Sequence, residues 1–230
     1  MDKYDIVYIL RNGIDTDEIR YSLRSVEKNF KPVNKVWFYG GKPEGITPDH
    51  YVKVIQAGAN RFQKVTNTIK QICLNDEITD KFYLFNDDFF VMKKVEEVPL
   101  IASGTIAERQ AYIKEKRGYA SRYSQRLGKT AERLKDKGYN TLCYAMHMPI
   151  LVDRKKALEA MAQFSSDPMF RCIYGNYVAE ETVIEKDVKV FGNEDPYTDT
   201  TYLSTDDKAF NSKAGEYIRS KFTKPSRWEV

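Results

Sequence analysis

Apolar positions in the first hundred residues alternate between the two periods that mark regular structure. Asp5 to Leu10 (DIVYIL) is a short β-rich run that stops at Arg11-Asn12-Gly13, which predicts a buried strand followed by a turn. Asp15, with Glu18 three residues later, has the spacing of a capping box, and Ile19, Leu23, Val26 and Phe30 then recur at helical spacing until Pro32. Lys35 to Tyr39 (KVWFY) predicts a second strand closed by Gly40-Gly41 and Pro43, and Tyr51 to Ile55 (YVKVI) a third with period-two alternation. Phe62, Val65, Ile69 and Ile72 mark another helix, and Phe82 to Phe85 (FYLF) a fourth strand. Strands alternating with helices predict an α/β fold with a mostly parallel, doubly wound sheet. Near the other end, Asp206 is placed to cap a final helix in which Phe210, Ala214 and Tyr217 share a face.

The fourth strand runs into a conflict. In KFYLFNDDFFVMKK, Lys81 to Lys94, large apolar residues flank Asn86, Asp87 and Asp88 on both sides, and an unpaired carboxylate is costly to bury. In open α/β sheets ligands bind outside the carboxyl ends of the strands, which is where these three residues fall. Two adjacent aspartates on a rigid strand end are hard oxygen ligands suited to Mg²⁺ or Mn²⁺, and a cation there neutralises a diphosphate. The bland alternative is an Asx turn capping the strand.

Charge changes the picture further. The net charge is only +4, but Arg109 to Lys137 holds ten Lys/Arg against three Asp/Glu, so the rest of the chain is slightly acidic. Tyr112, Tyr119, Tyr123 and Tyr139 are interleaved with or follow these cations, a composition that suits a surface meeting a polyanion and stacking on something flat; a solvated helix face is the competing reading. With 230 residues, 42% of them hydrophobic, the chain has material for a substantial core. No apolar run has the length to span a bilayer, and MDKYDIVYILRNG lacks the uninterrupted apolar stretch of a secretory signal, so a cytoplasmic protein with no membrane contact is expected. Cys73, Cys143 and Cys172 have neither disulfide nor zinc spacing and are expected as buried thiols. No linker or repeat divides the chain, which reads as one domain, residues 1–230. Within it, residues 103–140 are expected as a basic helical insertion between residues 1–100 and 141–230.

The first strand, YSLRSVEKNF, VWFYGGKP and YLFNDDFF together resemble the nucleotide-diphospho-sugar transferase fold known as GT-A, and most closely the Stealth-like sugar and sugar-phosphate transferases and short phage-type glycosyltransferases. HMPILVDRKKALEAM, FRCIYGNY and KPSRWE are similar to later blocks of that family, whereas RNGID departs from its pattern at the first strand end. The resemblance implies that Asp87 and Asp88 contact a divalent metal, Mn²⁺ or Mg²⁺, and the diphosphate of a nucleotide-sugar donor such as a UDP-sugar, with Asn86 beside them. It places Arg11 and Asn12 near the nucleotide, Arg20 or Arg24 toward phosphate, and Asn67 toward the donor sugar. His147 becomes a candidate third metal contact or catalytic acid/base. Asp88 is taken as catalytic together with His147, and Asp195 is a candidate base by its position in a Pro-containing loop. Arg171 and Asn176, with Arg117, Arg122 and Arg126 of the basic segment, are candidates for the acceptor side.

Three functions compete. A glycosyltransferase acting on a hydroxymethylated base in phage DNA, in a host cytoplasm, accounts for the basic segment. A Stealth-like transferase of hexose-1-phosphate or sugar to a cell-surface polysaccharide accounts for the motif blocks. A non-enzymatic nucleic-acid-binding module has no need of an acidic pair at a strand end.

Overall fold

The computed structural model of the protein describes residues 2–13, 17–164 and 169–230, so Asp15 of the expected capping box lies outside the described residues. In chain order the elements begin β1 (Tyr4–Leu10), α1 (Glu18–Asn29), β2 (Val33–Gly40), β3 (His50–Val52), α2 (Arg61–Leu74) and β4 (Lys81–Phe85). β5 (Phe89–Val91) and β6 (Ile101–Ala102) lead into a helical hairpin, α3 (Ile106–Arg117) and α4 (Arg122–Asp136). β7 (Ile150–Asp153), α5 (Arg154–Gln163), α6 (Phe170–Val178), β8 (Val183–Ile184), β9 (Lys189–Val190), β10 (Tyr202–Thr205), α7 (Asp207–Phe210) and α8 (Lys213–Lys221) complete the order.

The central sheet has the order β3-β2-β1-β4-β7, parallel throughout except for β7, which runs antiparallel to β4. This is the α/β fold with a mostly parallel sheet and a basic helical insertion that the sequence predicts. Side chains alternate across β1, so Ile6 and Tyr8 pack with Leu23 and Val26 of α1, while Val7 faces the other way toward Ile69 and Ile72 of α2. Phe170 and Tyr174 of α6 and Ala157 of α5 join that second face. Helices therefore cover both sides of the sheet.

Two predicted boundaries are corrected. The alternation of YVKVI continues to Ile55, but β3 ends at Val52, because its partner β2 ends one residue past Tyr39, the partner of Val52, and offers no further ladder. The last helix is two: Asp206 caps α7 through a bond from Ala209 N, and the chain breaks at Asn211-Ser212 before α8 begins. The Ser212 hydroxyl donates to Gly192 O and Ala209 O, and Phe210 O approaches Gly215 so closely that a Cβ there would stand 1.6 Å from it. Only glycine permits that approach.

A second, three-stranded sheet of order β5-β10-β9 follows the acidic motif. One edge of β5 pairs with β10. Its other edge is satisfied by a buried polar stripe on α1: Asn29 donates its amide to Val91 O, Ser25 Oγ accepts from Val91 N, and Ser22 Oγ donates to Phe89 O while sharing a hydrogen bond with the Tyr8 hydroxyl. β5 is thus pinned on both edges, which fixes the residues immediately before it. α3 and α4 carry their own apolar faces: Ile106, Ile113, Leu127 and Leu134 pack with Cys143, Phe164, Cys172 and Ile173. Thr105 and Glu108 form a full capping box on α3, and Ser121 caps α4. All three cysteines are buried free thiols, as expected. Among the described residues no helix is long and apolar enough to cross a membrane.

Candidate functional site

The chain leaves β4 at Phe85, turns through Asn86, Asp87 and Asp88, with Phe89 N donating to Asn86 O, and enters β5. The acidic pair therefore stands at the carboxyl end of a central parallel strand, beside the end of β1. Asp88 is held by a row of side chains that the second sheet brings into register. Ser204 of β10 pairs with Phe89 on one side and with Lys189 of β9 on the other. From this row Lys189 Nζ reaches Asp88 Oδ2 at 2.5 Å and Ser204 Oγ donates to the same oxygen at 3.2 Å. Oδ1 of Asp88 is buried with no hydrogen-bond partner among the described residues.

A third carboxyl completes the cluster. Glu18, in the first turn of α1, is 5% exposed and accepts a hydrogen bond from Thr205 Oγ1 of β10. Burial, with the charges of Asp88 and Asp87 added, pushes its carboxyl up to about 8 against the relief given by Thr205 and Lys189. Asp87 is raised to about 6, first by burial and then by Asp88. Three acids around Lys189 form a site short of positive charge.

Arg171 of α6 lies next to it. Its guanidinium stacks 5.3 Å from the Phe89 ring centroid and donates to Met148 O at 2.8 Å, with a longer contact to Leu84 O at 3.5 Å. No carboxylate of the described residues lies within ion-pair distance of it, and burial depresses it to about 10 while Asp88 and Asp187 pull the other way. Arg171 thus links the acidic pair to a second group. Asp187, just before β9, accepts from His147 N at 3.0 Å through one oxygen; the other meets His147 Nδ1 and Arg109 Nη2, each at 2.8 Å. Burial alone would raise Asp187, but these partners hold it down at about 2. Nδ1 of His147 being engaged, the ring presents Nε2, and its side chain is 29% exposed.

The structure assigns other tasks to several residues expected here. Arg24 is turned to the C-terminal segment: it makes a two-pronged pair with Glu229, donates to Phe222 O and stacks on Tyr21. Arg20 donates to Glu44 O and Gly45 O. Asn67 ties its helix to Ala57 O, Asn176 is buried between Leu142 and Cys172, and Asp195 is a solvent-facing partner of Lys213. Asn12 donates to Val54 O, while Arg11, Asn86 and Arg122 are exposed. Arg126 lies over the Phe62 ring, and the Arg117 side chain falls outside what is described. A cavity of about 480 Å³ lined by Glu97, Leu100, Ile150 and Glu181 among others shares no residue with the acidic cluster.

Glu18, Asp187 and Lys189 are not singled out by sequence reasoning. The signal for the last two is faint: in KDVKV, Val188 and Val190 alternate with Asp187 and Lys189, so the two charges share a strand face opposite two buried valines.

The residues fit a divalent cation in part. Among the described residues no three His, Cys, Asp or Glu side chains are grouped to hold a metal by themselves, so His147 does not join the pair as a ready-made third ligand. Yet the free Oδ1 of Asp88 beside Asp87 is the donor set of a cation that draws its remaining ligands from substrate phosphate and water.

Neither a family model nor a curated protein matches the chain. Solved structures similar to it include an active-site mutant of LgtC, with 13% identity, 94% of each chain covered and a TM-score of 0.49. Others are the galactosyltransferase LgtC in complex with donor and acceptor sugar analogs (14% identity, 74% of this chain and 68% of that one, TM-score 0.40) and the glycosyltransferase GlyE of Streptococcus pneumoniae TIGR4 (11%, 81% and 46%, TM-score 0.36). At identities and TM-scores this low, the likeness says nothing of which residues act or on what.

Proposed function

We propose that the protein is a GT-A type, nucleotide-sugar-dependent transferase, moving a sugar or sugar phosphate to an acceptor hydroxyl. One observation carries the reading: an acidic pair fixed at the carboxyl end of a central parallel strand, with a buried carboxylate oxygen left open. A divalent cation bound by Asp87 and Asp88 would supply the charge that offsets the donor diphosphate. Arg171 adds a fixed positive charge that carries no carboxylate partner of its own, a suitable neighbour for phosphate oxygens. His147 Nε2 takes the proton of the acceptor hydroxyl as that oxygen attacks, while Asp187 holds Nδ1–H and stabilises the ring once it is charged. Attack at the anomeric carbon releases the nucleoside diphosphate; attack at the sugar-bearing phosphorus releases the monophosphate. Identifying the nucleotide released distinguishes these two outcomes.

For the acceptor, the α3–α4 hairpin supports DNA, a hydroxymethylated base being the hydroxyl-bearing group: its apolar face is spent on packing, while Lys114, Lys116, Arg122, Lys129, Lys135 and Lys137 are exposed together with Tyr112 and Tyr119. A surface polysaccharide is the second reading, supported by the motif blocks around His147 and Arg171. Calorimetry with UDP in EDTA and then in Mn²⁺ tests the donor site. Binding is expected to be weak without the cation, because the Asp87 and Asp88 carboxylates repel phosphate, and strong with it. Equal affinity in both media refutes the cation-assisted donor site.

A further inference from the structure

Asp88 is half occupied. Lys189 and Ser204 hold Oδ2, whereas Oδ1 is buried and open. Lys189 is delivered by its own strand register and is itself only 12% exposed, so it is built into the site rather than folded onto it by chance. It is also the cation that eases the ionisation of both Glu18 and Asp87. A divalent ion held by Oδ1 and Asp87 would share the Asp88 carboxylate with this ammonium, and two cations on one carboxylate repel each other.

We propose that Lys189 is an exchangeable counter-cation: without ligand it neutralises Asp88, and on donor binding it passes to the diphosphate, so that divalent metal and nucleoside diphosphate bind together and poorly apart. The inference rests on the donor site proposed above. Its physical content is a coupling free energy, which acts reciprocally on the two ligands. Diphosphate draws the ammonium away from Asp88 and improves the metal site. Metal makes the ammonium available and improves the diphosphate site. The lysine also protects the acidic strand end from isolated cations and gives the half-buried Asp88 a partner whenever the donor is absent.

Titration calorimetry on the full chain, with Mn²⁺ alone, UDP alone and each in the presence of the other, reads this coupling. Lys189→Met is expected to bind Mn²⁺ alone at least about tenfold more tightly than the unaltered protein, and to bind UDP in saturating Mn²⁺ more weakly. Lys189→Arg keeps the charge and is expected to keep weak binding of Mn²⁺ alone. If the Met variant fails to fold, as judged by its thermal melt, Lys189→Gln carries the same test, since it still hydrogen-bonds Asp88 without a charge. Unchanged or weaker Mn²⁺ binding in the neutral variant overturns the exchange while leaving the donor site standing. An unaltered protein that binds no UDP with or without Mn²⁺ overturns the donor site, and the exchange with it.

Discussion

Glu18→Gln should make the protein more stable at alkaline pH and leave it nearly unchanged in acid. The glutamate is enclosed by α1 and β10, with Asp87 and Asp88 as neighbours, and its carboxyl is raised from 4.5 to about 8. A carboxyl whose folded-state value lies above its unfolded one binds its proton more tightly when folded, so its stabilising effect is complete below 4.5 and is lost as pH rises toward 8. Each unit corresponds to about 1.4 kcal/mol; allowing for the mutual screening of three acids and a lysine, the loss is on the order of 3 kcal/mol. Glutamine keeps an oxygen for the Thr205 hydroxyl and has nothing to ionise. Urea unfolding of both proteins at pH 5, 7 and 9, in EDTA, gives the difference directly. It should be under about 1 kcal/mol at pH 5 and grow to roughly 3 kcal/mol in favour of glutamine at pH 9. A difference that stays flat across that range would mean that Glu18 is charged in the folded protein, and the account of an acid-crowded site would be wrong.

Asp187→Asn keeps the size of the side chain but removes the charge that holds His147 Nδ1–H, and should lower kcat by about a hundredfold or more while KM for the donor moves little. A loss confined to KM, with the pH profile of kcat unmoved, would reduce Asp187 to a purely structural bond. Replacing Arg117, Arg122 and Arg126 together should flatten the salt dependence of duplex DNA binding, each lost phosphate contact lowering the log–log slope by about one. Salt-insensitive DNA binding in the parent protein would move the polysaccharide acceptor into first place.

What was legible in the chain was local. Apolar strand runs, helix periods and the Asn86-Asp87-Asp88 turn are written in stretches of a few residues, and the parallel sheet follows from their alternation. The α3–α4 hairpin was legible as helices because its charges sit on good helix formers, while its buried stripe fixed where it packs. Partners distant in sequence were not. Glu18 reads as a first-turn acid of α1, and its crowding appears only when β10 and the acidic turn are folded against it. Arg24 has the look of an exposed helical arginine because its acceptor is 205 residues away. Lys189 and Asp187 read as the outward face of a charged strand; the second sheet turns that face inward toward Asp88 and His147.

The Arg24–Glu229 pair has a bearing on how the chain is made. Glu229 is clamped by Ser226, Trp228 donates to Asp49, Thr47 N donates to Trp228 O and Val230 N to Gly45 O, so residues 226–230 are woven between α1 and the β2–β3 connection. During synthesis the first half emerges from the ribosome with the Arg24 guanidinium lacking its acceptor and the indole slot beside Asp49 unfilled. The outer face of α1 and the β2–β3 connection therefore lack these contacts until residues 226–230 have been synthesised.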